Sequence, residues 1–444
     1  MTGPARNPGA LRVLVIGAGI GGLALAQGLI RRGIEVEVYE RDAQPDTRLD
    51  RYRLHISPAG SRALHACLSP SAWEEFLAGA GRGGGGFGFL TEQLDTLVVV
   101  EDEIMYPPSH DPAEQPYPVD RRRLRVALTR GIEHAIHYDH RFLRYEHTNK
   151  GRIRATFTDD SDAIGDILIG ADGAHSAVCR QLLPEAKPVD TGTVGVGLKL
   201  PLDTTTLEWL PPRLGTGMNV ITAPGPMFLF TSVYQTDDAA GEDYLLCAFV
   251  ARTRVLADKA KLAGSELQQA VIEIARSWHP LLQRVLQDAD PASVTAYPFT
   301  IAQRPRAWSP SAVTVLGDAI HNMPPAGGNG ANIALRDAHL LTRKLAEVAR
   351  DNTQLTAAIG AYEHEMRNYA FDATKRSAQT LNLGLISNPL ALAGTRNWFR
   401  ICNLSRAIRH AGFKDNWAKD AAPRPWERHA NDSPNDHKPS PATR

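Results

Sequence analysis

Cysteine is scarce in this 444-residue sequence: Cys67, Cys179, Cys247 and Cys402 stand far apart, with no CxxC pair and no Cys/His cluster. That argues against a disulfide scaffold and against a zinc site, so no metal is expected and a reducing cytoplasm is the expected location. An excess of charge is also missing, since Lys+Arg and Asp+Glu both number 49. A dedicated nucleic-acid binder needs a basic surplus to displace counterions, so no nucleic-acid partner is expected. Long hydrophobic runs are lacking as well. Val13–Ile30 alone approaches membrane length, and its glycines come in a fixed pattern, with Gln27, Arg31 and Arg32 closing the run in helical period. It reads as strand, turn and helix, not as a membrane span.

What remains is ordinary soluble composition, 43% hydrophobic and 22% charged, with a skew toward glycine (37 residues) and proline (30 residues). The positions of the glycines say more than their number. Val13–Ile16 is a β-branched-rich run suited to a buried parallel strand. Gly17-Ala18-Gly19-Ile20-Gly21-Gly22 follows, then an apolar helical stretch that ends at Arg31, Arg32 and Gly33. Glu35–Glu40 then alternates polar and apolar residues, as a second strand should. In this arrangement Gly17 permits the tight turn and Gly19 lets a pyrophosphate approach the backbone. Gly22 lets helix and strand pack closely. The helix N-terminus offers free N–H groups to phosphates, and Glu40 ends the second strand where a carboxylate holds ribose hydroxyls. The complete strand–turn–helix–strand–acid unit predicts a dinucleotide site, whereas a bare glycine-rich turn would not.

Two later segments bear on which dinucleotide. Asp166–Ser176 reads as a strand running into an Asp172-Gly173 turn. Val313–His321 reads as a strand ending in Gly317-Asp318, followed by Pro324-Pro325-Ala326-Gly327-Gly328-Asn329-Gly330-Ala331-Asn332 and a long helix through Val348. Asp318, at the C-terminal end of a strand, is placed to accept hydrogen bonds from ribityl hydroxyls. Gly328 and Gly330 allow the backbone to pass close to a flat ring. Ala331 and Asn332 begin a helix whose dipole favours negative charge on a reduced flavin.

Together these segments resemble the single-component FAD-dependent aromatic hydroxylases of the para-hydroxybenzoate hydroxylase type, which carry GxGxxG, a mid-chain GADGxxS and a late GDAxHxxxPxxGxGxN in this order. The resemblance implies an α/β fold: a discontinuous Rossmann-like FAD-binding domain with an inserted antiparallel-sheet substrate domain and C-terminal helices. It assigns residues 10–70, 115–183 and 296–350 to FAD, 71–114 and 184–295 to substrate, 351–422 to a helical region and 423–444 to a disordered tail. It implies cofactor-binding roles for Gly17, Gly19, Gly22, Glu40, Asp172, Asp318, Pro325, Gly328, Gly330, Ala331 and Asn332. Arg121 matches an R-x-x-L whose arginine contacts the flavin side, and the backbone at Arg53 lines the flavin. Arg41 faces either the adenosine half or solvent. Two residues depart from the pattern: Cys179 stands where the family has an arginine, and Arg53 where it has a small residue.

The implied chemistry is non-covalent FAD reduced by transient NADPH or NADH. Oxygen is then transferred through a flavin 4a-hydroperoxide to an electron-rich small molecule, by hydroxylation or epoxidation. Such chemistry rests on the cofactor, and the sequence names no catalytic residue. Tyr234, Tyr244 and His55 are candidates for a base, each equally at home in core or surface. A halogenase of the same fold would carry WxWxIP, and no two tryptophans here lie two apart. An oxygen-independent flavin reductase or dehydrogenase, and a non-catalytic FAD-binding protein, are the remaining alternatives. Gly83–Gly86 reads as a plain surface loop in preference to a mobile lid over substrate. Met227–Tyr234 and Tyr244–Val250 read as antiparallel strands, and 257–286 and 354–376 as helical.

Overall fold

The computed structural model describes residues 11–44, 52–237, 243–351 and 353–427. Its centre is a five-stranded parallel sheet, ordered Val313–Val315, Ile167–Gly170, Arg12–Ile16, Glu35–Tyr39 and Ile136–His137. A parallel sheet is covered on both faces, so its strands carry near-continuous apolar runs. Val13–Val15 and Ile167–Ile169 are fully buried accordingly. One face carries helix Ile20–Ile30, against which the 22-residue helix Gly330–Asp351 packs. Ile20–Ile30 is apolar on all sides because it is sandwiched. The helices approach closely: a Cβ on Gly28 would lie 2.6 Å from Thr342 Oγ1 and one on Gly21 would lie 3.3 Å from Ala334 Cβ. A three-stranded antiparallel meander, Phe142–His147, Ile153–Phe157 and Asp162–Gly165, also packs against this sheet. The run Val13–Ile30 is thus strand, turn and helix, and no helix among the described residues is long and apolar enough to cross a membrane.

A second core lies under a seven-stranded sheet, ordered Thr295–Ile301, Val189–Pro201, Tyr244–Arg252, Met227–Tyr234, Met218–Thr222, Phe87–Thr91 and Thr96–Val100. The sheet is not wholly antiparallel. Met218–Thr222 and Phe87–Thr91 run parallel, because two excursions distant in sequence are joined there edge to edge. The two-stranded ribbon of Arg53–Ile56 and Tyr117–Asp120 touches Met227–Tyr234 and so lies between the two cores.

Several elements differ from the sequence expectations. Residues 257–286 do not form one helix: a 3-10 turn at Ala257–Lys261 precedes helices Gly264–Ile274 and Pro280–Gln287. Pro280 has no N–H for a continuing helix, and His279 caps the new start by accepting the Leu281 N–H at 3.2 Å. Helix Leu355–Gly384 runs eight residues past 376, and its first half packs into the core of the parallel sheet. Helix Pro70–Ala78, grouped by sequence with the inserted part, also puts Ala72 and Phe76 into that core. Helices Pro389–Asn403 and Arg406–Ala421 cover the outer edge of the seven-stranded sheet. The tail expected to be disordered from 423 is docked at its start. Glu427 is buried and pairs with buried Arg336 at 2.8 Å, and Trp426 rests edge-on to His339. Residues 428–444 of that expectation lie outside the described residues.

Candidate active site

The first turn leaves the Arg12–Ile16 strand at Gly17, whose φ of +107° suits only glycine. A Cβ there would meet the Ala171 carbonyl oxygen at 2.4 Å, and one on Gly22 would meet the Gly17 carbonyl oxygen at 2.2 Å. These two glycines are therefore required by protein packing. Gly19 differs: its φ is ordinary, and a Cβ there would find only the Ala171 oxygen, 3.9 Å away. Its Cα borders open space. Gly19 caps helix Ile20–Ile30 without any side-chain hydrogen bond, so the first-turn N–H groups face that space unsatisfied. An anion fits there on charge and geometry.

Glu40 is buried beside the turn. Its Oε2 accepts the Ala18 N–H at 2.8 Å and its Oε1 accepts the Asp42 N–H at 3.1 Å. The carboxylate thus ties the second strand to the glycine turn as well as presenting its free lone pairs. Arg41 is exposed at the same corner. Asp172 is occupied locally: Ser176 Oγ–H donates to it and the Ala177 N–H donates at 2.6 Å, while Ser176 Oγ accepts the Cys179 N–H at 2.8 Å. It thus holds the first N–H of helix Ala177–Leu182, which Ser176 caps, and its backbone abuts Gly17. Burial raises its carboxyl pKa, against the pull of these bonds. Cys179 is buried in the core, and exposed Arg180 turns back to donate to the His175 carbonyl at 2.7 Å.

The third segment converges on the same groove. Asp318 starts a short helix after Gly317 and is exposed. Burial raises its pKa, while His321 and Arg121 lower it, so Arg121 faces the same space. Arg121 is held by Tyr52, donating to its hydroxyl at 3.0 Å. Gly330 lies beside Asp318, with a built Cβ 3.9 Å from Oδ1. Pro325 and Gly328 are exposed, and the Pro325 carbonyl accepts the Gly328 N–H at 2.9 Å. Ala331 is half-buried at the start of the long helix. Asn332 is buried and works as a staple: Oδ1 accepts the Ser57 N–H at 2.8 Å, and Nδ2 donates to the His55 and Gly328 carbonyls at 2.8 and 2.9 Å. Its amide is spent on protein and orients the loop.

Behind the groove lies a network that sequence reading missed. Asp337 Oδ2 accepts the Gly317 N–H at 2.8 Å and the His321 ring N–H at 2.6 Å, and Oδ1 accepts the Tyr369 hydroxyl at 2.6 Å. Burial opposes a charge on His321, but Asp337, reinforced by Asp318, outweighs it and raises the imidazole pKa. On sequence, Asp337 is one more polar residue within a helix.

A cavity of about 230 Å³ opens beside the ribbon, lined by Arg53, His55, Tyr106, the Gly83–Gly86 loop, Gly217 and Gln235. Gly83, Gly84 and Gly85 are exposed, as expected of a surface loop, and the loop also lines this cavity. Arg213 fixes it by donating to the Gly85 carbonyl, and a Cβ on Gly86 would lie 2.3 Å from the Val100 oxygen. Of the three candidate bases, only His55 reaches this cavity. The Tyr244 hydroxyl donates to Asp120 at 2.9 Å and that of Tyr234 to the Gly79 carbonyl at 3.0 Å. His55 Nε2 is hydrogen-bonded to the Tyr106 hydroxyl at 2.7 Å. Burial, with Arg53 adding to it, drives the His55 pKa down to about 3. Tyr106 gave no sequence signal. The loop and the cavity adjoin, since a Cβ on Gly328 would lie 3.7 Å from His55 Cβ.

A family model described as FAD binding domain matches residues 124–377, more than half of the chain, and one described as NAD(P)-binding Rossmann-like domain matches residues 15–78. The chain belongs to the FAD-binding domain family. This flavoprotein is 32% identical to a protein of Photorhabdus luminescens subsp. laumondii assigned as a FAD-containing monooxygenase, whose structure aligns with a TM-score of 0.77 over 86% of this chain and all of that one. It is 29% identical to a FAD-dependent monooxygenase of Talaromyces islandicus, over 82% of this chain and 91% of the relative. It is 28% identical to a dual O-methyltransferase/FAD-dependent monooxygenase of Phaeosphaeria nodorum, matching 83% of this chain but 45% of that protein. The chain therefore spans less than half the length of such dual relatives. The family matches the one the motifs resemble, and FAD fits the groove: open space at Gly19, free helix N–H groups, and Asp318 on the wall.

Proposed function

We propose that this flavoprotein is a monooxygenase that takes electrons from NADPH or NADH and inserts one atom of O2 into an electron-rich small molecule. When bound, FAD supplies the electron transfer and oxygen activation. The protein supplies position and a shielded site. The first-turn N–H groups of helix Ile20–Ile30 and the space over Gly19 would receive the pyrophosphate, with Glu40 near a ribose. Asp318 and Arg121 would receive the ribityl chain and flavin side, and the Pro325–Ala331 loop would carry the ring. Gly17, Gly22, Asp172 and Asn332 shape these surfaces through protein contacts.

One observation carries the reading beyond cofactor binding. Asn332 joins the Gly328 loop to the His55 strand, so the side of the loop expected to face the flavin borders a half-open cavity. A redox cofactor beside a small cavity suits oxygen transfer to an organic molecule bound there. The Photorhabdus and Talaromyces relatives support the same class. The four cysteines, all free and buried, suit a reducing compartment.

The test is to purify the protein, record its visible spectrum, and follow NADPH and NADH oxidation with a panel of phenols, indoles and polyketides. Product mass under 18O2 is then measured. A yellow protein whose substrate-stimulated oxidation places one 18O atom in product supports the proposal. A colourless protein, or flavin reduction with no oxygen incorporated for any substrate, rejects it; the second outcome points to a reductase.

A further inference from the structure

Helix Pro389–Asn403 is apolar on two sides, and only one of them is covered. Phe399 and Cys402 face inward, in the cluster at the outer edge of the seven-stranded sheet. Leu390, Ile401 and Leu404 fall on one outward stripe by helical period, with Trp398 on its flank. Leu390 is 84% and Leu404 77% exposed. The exposure of Leu390 is not fraying, since Asn388 Oδ1 accepts the Leu390 and Ala391 N–H groups at 2.9 and 3.2 Å. A contiguous apolar face of this kind ordinarily lies against something.

The charge pattern identifies what that is. Between Asp372 and Asp415 the chain has seven Lys or Arg and no acidic residue, although the two signs are equal in number over the whole sequence. Carboxylates brought by neighbouring strands and loops are spent on the inner side: Glu92 pairs with Arg396, and Glu101 with Arg409. Asp102 and Glu103 lie on the short helix that packs against Arg406–Ala421. Arg400, beside the stripe, is exposed and donates to Asn397 Oδ1 at 3.1 Å, and among the described residues no carboxylate pairs with it. Arg406 and Lys414 are exposed as well. A half-open cavity of about 360 Å³ lies on the Arg400 flank, lined by Pro224, Gly225, Leu392, Arg396 and Arg400.

Apolar side chains flanked by exposed cations suit a helix lying in the headgroup layer of an anionic bilayer. We propose that helix Pro389–Asn403 and its joint with Arg406–Ala421 dock this flavoprotein onto an anionic lipid surface. Leu390, Trp398, Ile401 and Leu404 enter the acyl boundary, and Arg400 and Arg406 meet the phosphates. This is a surface contact and not a span, and no helix among the described residues is long and apolar enough to cross a membrane. A second copy of the chain fits the face less well, because a two-fold contact would set its cations against their own images.

The test sediments the holoprotein with phosphatidylcholine vesicles that contain either no phosphatidylglycerol or about one third of it. The anionic vesicles should bind about 10-fold more tightly or better, and high salt should release the protein. Arg400→Gln with Arg406→Gln should weaken anionic binding about 10- to 30-fold, at about 5-fold per cation. Leu390→Gln with Ile401→Gln should weaken it about 10-fold or more. Both pairs should keep the wild-type flavin content and melting temperature, because these side chains are exposed. Brominated acyl chains should quench tryptophan fluorescence, and Trp398→Phe, which keeps an apolar ring, should remove most of that quenching; if a double variant folds poorly, this readout decides. No vesicle binding, equal binding to neutral and anionic vesicles, or binding and quenching unchanged in the variants overturns the proposal. So does a lipid-free dimer that Leu390→Gln with Ile401→Gln splits, since the face would then join two copies of the chain.

Discussion

Three glycines in one turn should respond to alanine in two different ways. At Gly17 the substitution requires a left-handed φ of +107° and brings Cβ to 2.4 Å from the Ala171 oxygen; at Gly22 it brings Cβ to 2.2 Å from the Gly17 oxygen. Both contacts are backbone to backbone and cannot be relieved by rotating a side chain. Strain and overpacking of this kind cost about 1–3 kcal/mol each. Gly17→Ala combines both and should lose about 3 kcal/mol or more, and Gly22→Ala about 2 kcal/mol. Gly19→Ala meets nothing nearer than 3.9 Å and gives up only a favourable helix cap, roughly 1 kcal/mol. Its methyl instead occupies the space that a phosphate must enter. Losing one or two charge-assisted hydrogen bonds, each worth about 1.5–3 kcal/mol, would weaken FAD binding by about 10²- to 10³-fold. The assay pairs chemical denaturation of apoprotein with flavin-fluorescence titration of the refolded apo variants. Gly19→Ala should be near wild type in the first and severely impaired in the second, with Gly17→Ala and Gly22→Ala destabilised in the first. If Gly19→Ala binds FAD normally, the phosphate turn has been misplaced.

Burial raises the Glu363 carboxyl from 4.5 to about 7, with its Oε1 accepting the Thr314 hydroxyl at 2.8 Å. A raised pKa stabilises the fold below the unfolded value and loses that contribution as pH climbs through the folded value. The wild type should therefore weaken between pH 5 and 8, and raised His321 acts in the same direction. Glu363→Gln should match wild type near pH 5 and exceed it by roughly 2–3 kcal/mol at pH 8 in urea titrations; parallel pH profiles would contradict this. Glu427→Ala removes the carboxylate that pairs with buried Arg336 and should cost about 3–5 kcal/mol, whereas Arg336→Met with Glu427→Leu should recover most of it, as thermal melts of the three proteins will report. Asn332→Ala removes three hydrogen bonds and leaves the Ser57 N–H without its acceptor. It should lower stability by about 1–3 kcal/mol and reduce flavin content on purification; unchanged absorbance per protein would show that the loop does not need the staple.

The dinucleotide turn was legible in the chain because its causes are local. The positive φ at Gly17, the uncapped helix start at Gly19 and the acid at the end of the second strand all lie within one strand–turn–helix–strand unit. The late loop was readable for the same reason, being a glycine-rich turn that opens a helix. Sequence placed Asp172 and Asn332 near the site, but gave no sign that their side chains also tie the Ser176 turn and the Gly328 loop to the protein. The Asp337–His321–Tyr369 network gave no signal, because a polar residue at a helical position looks alike whether it meets water or a buried histidine.

The cavity belongs to tertiary structure alone. Its walls come from Arg53 and His55 on one strand, Tyr106 after a short helix, the Gly83–Gly86 loop and Gly217. They meet only because Phe87–Thr91 and Met218–Thr222 pair in parallel across about 130 residues of chain. No periodicity records such a pairing, since either strand alone would satisfy many partners. Sequence by itself determined a dinucleotide-binding protein with no surplus of charge of either sign. The long-range pairing of two interior strands decided which loops would wall the half-open cavity that Arg53 and His55 line beside the cofactor loop.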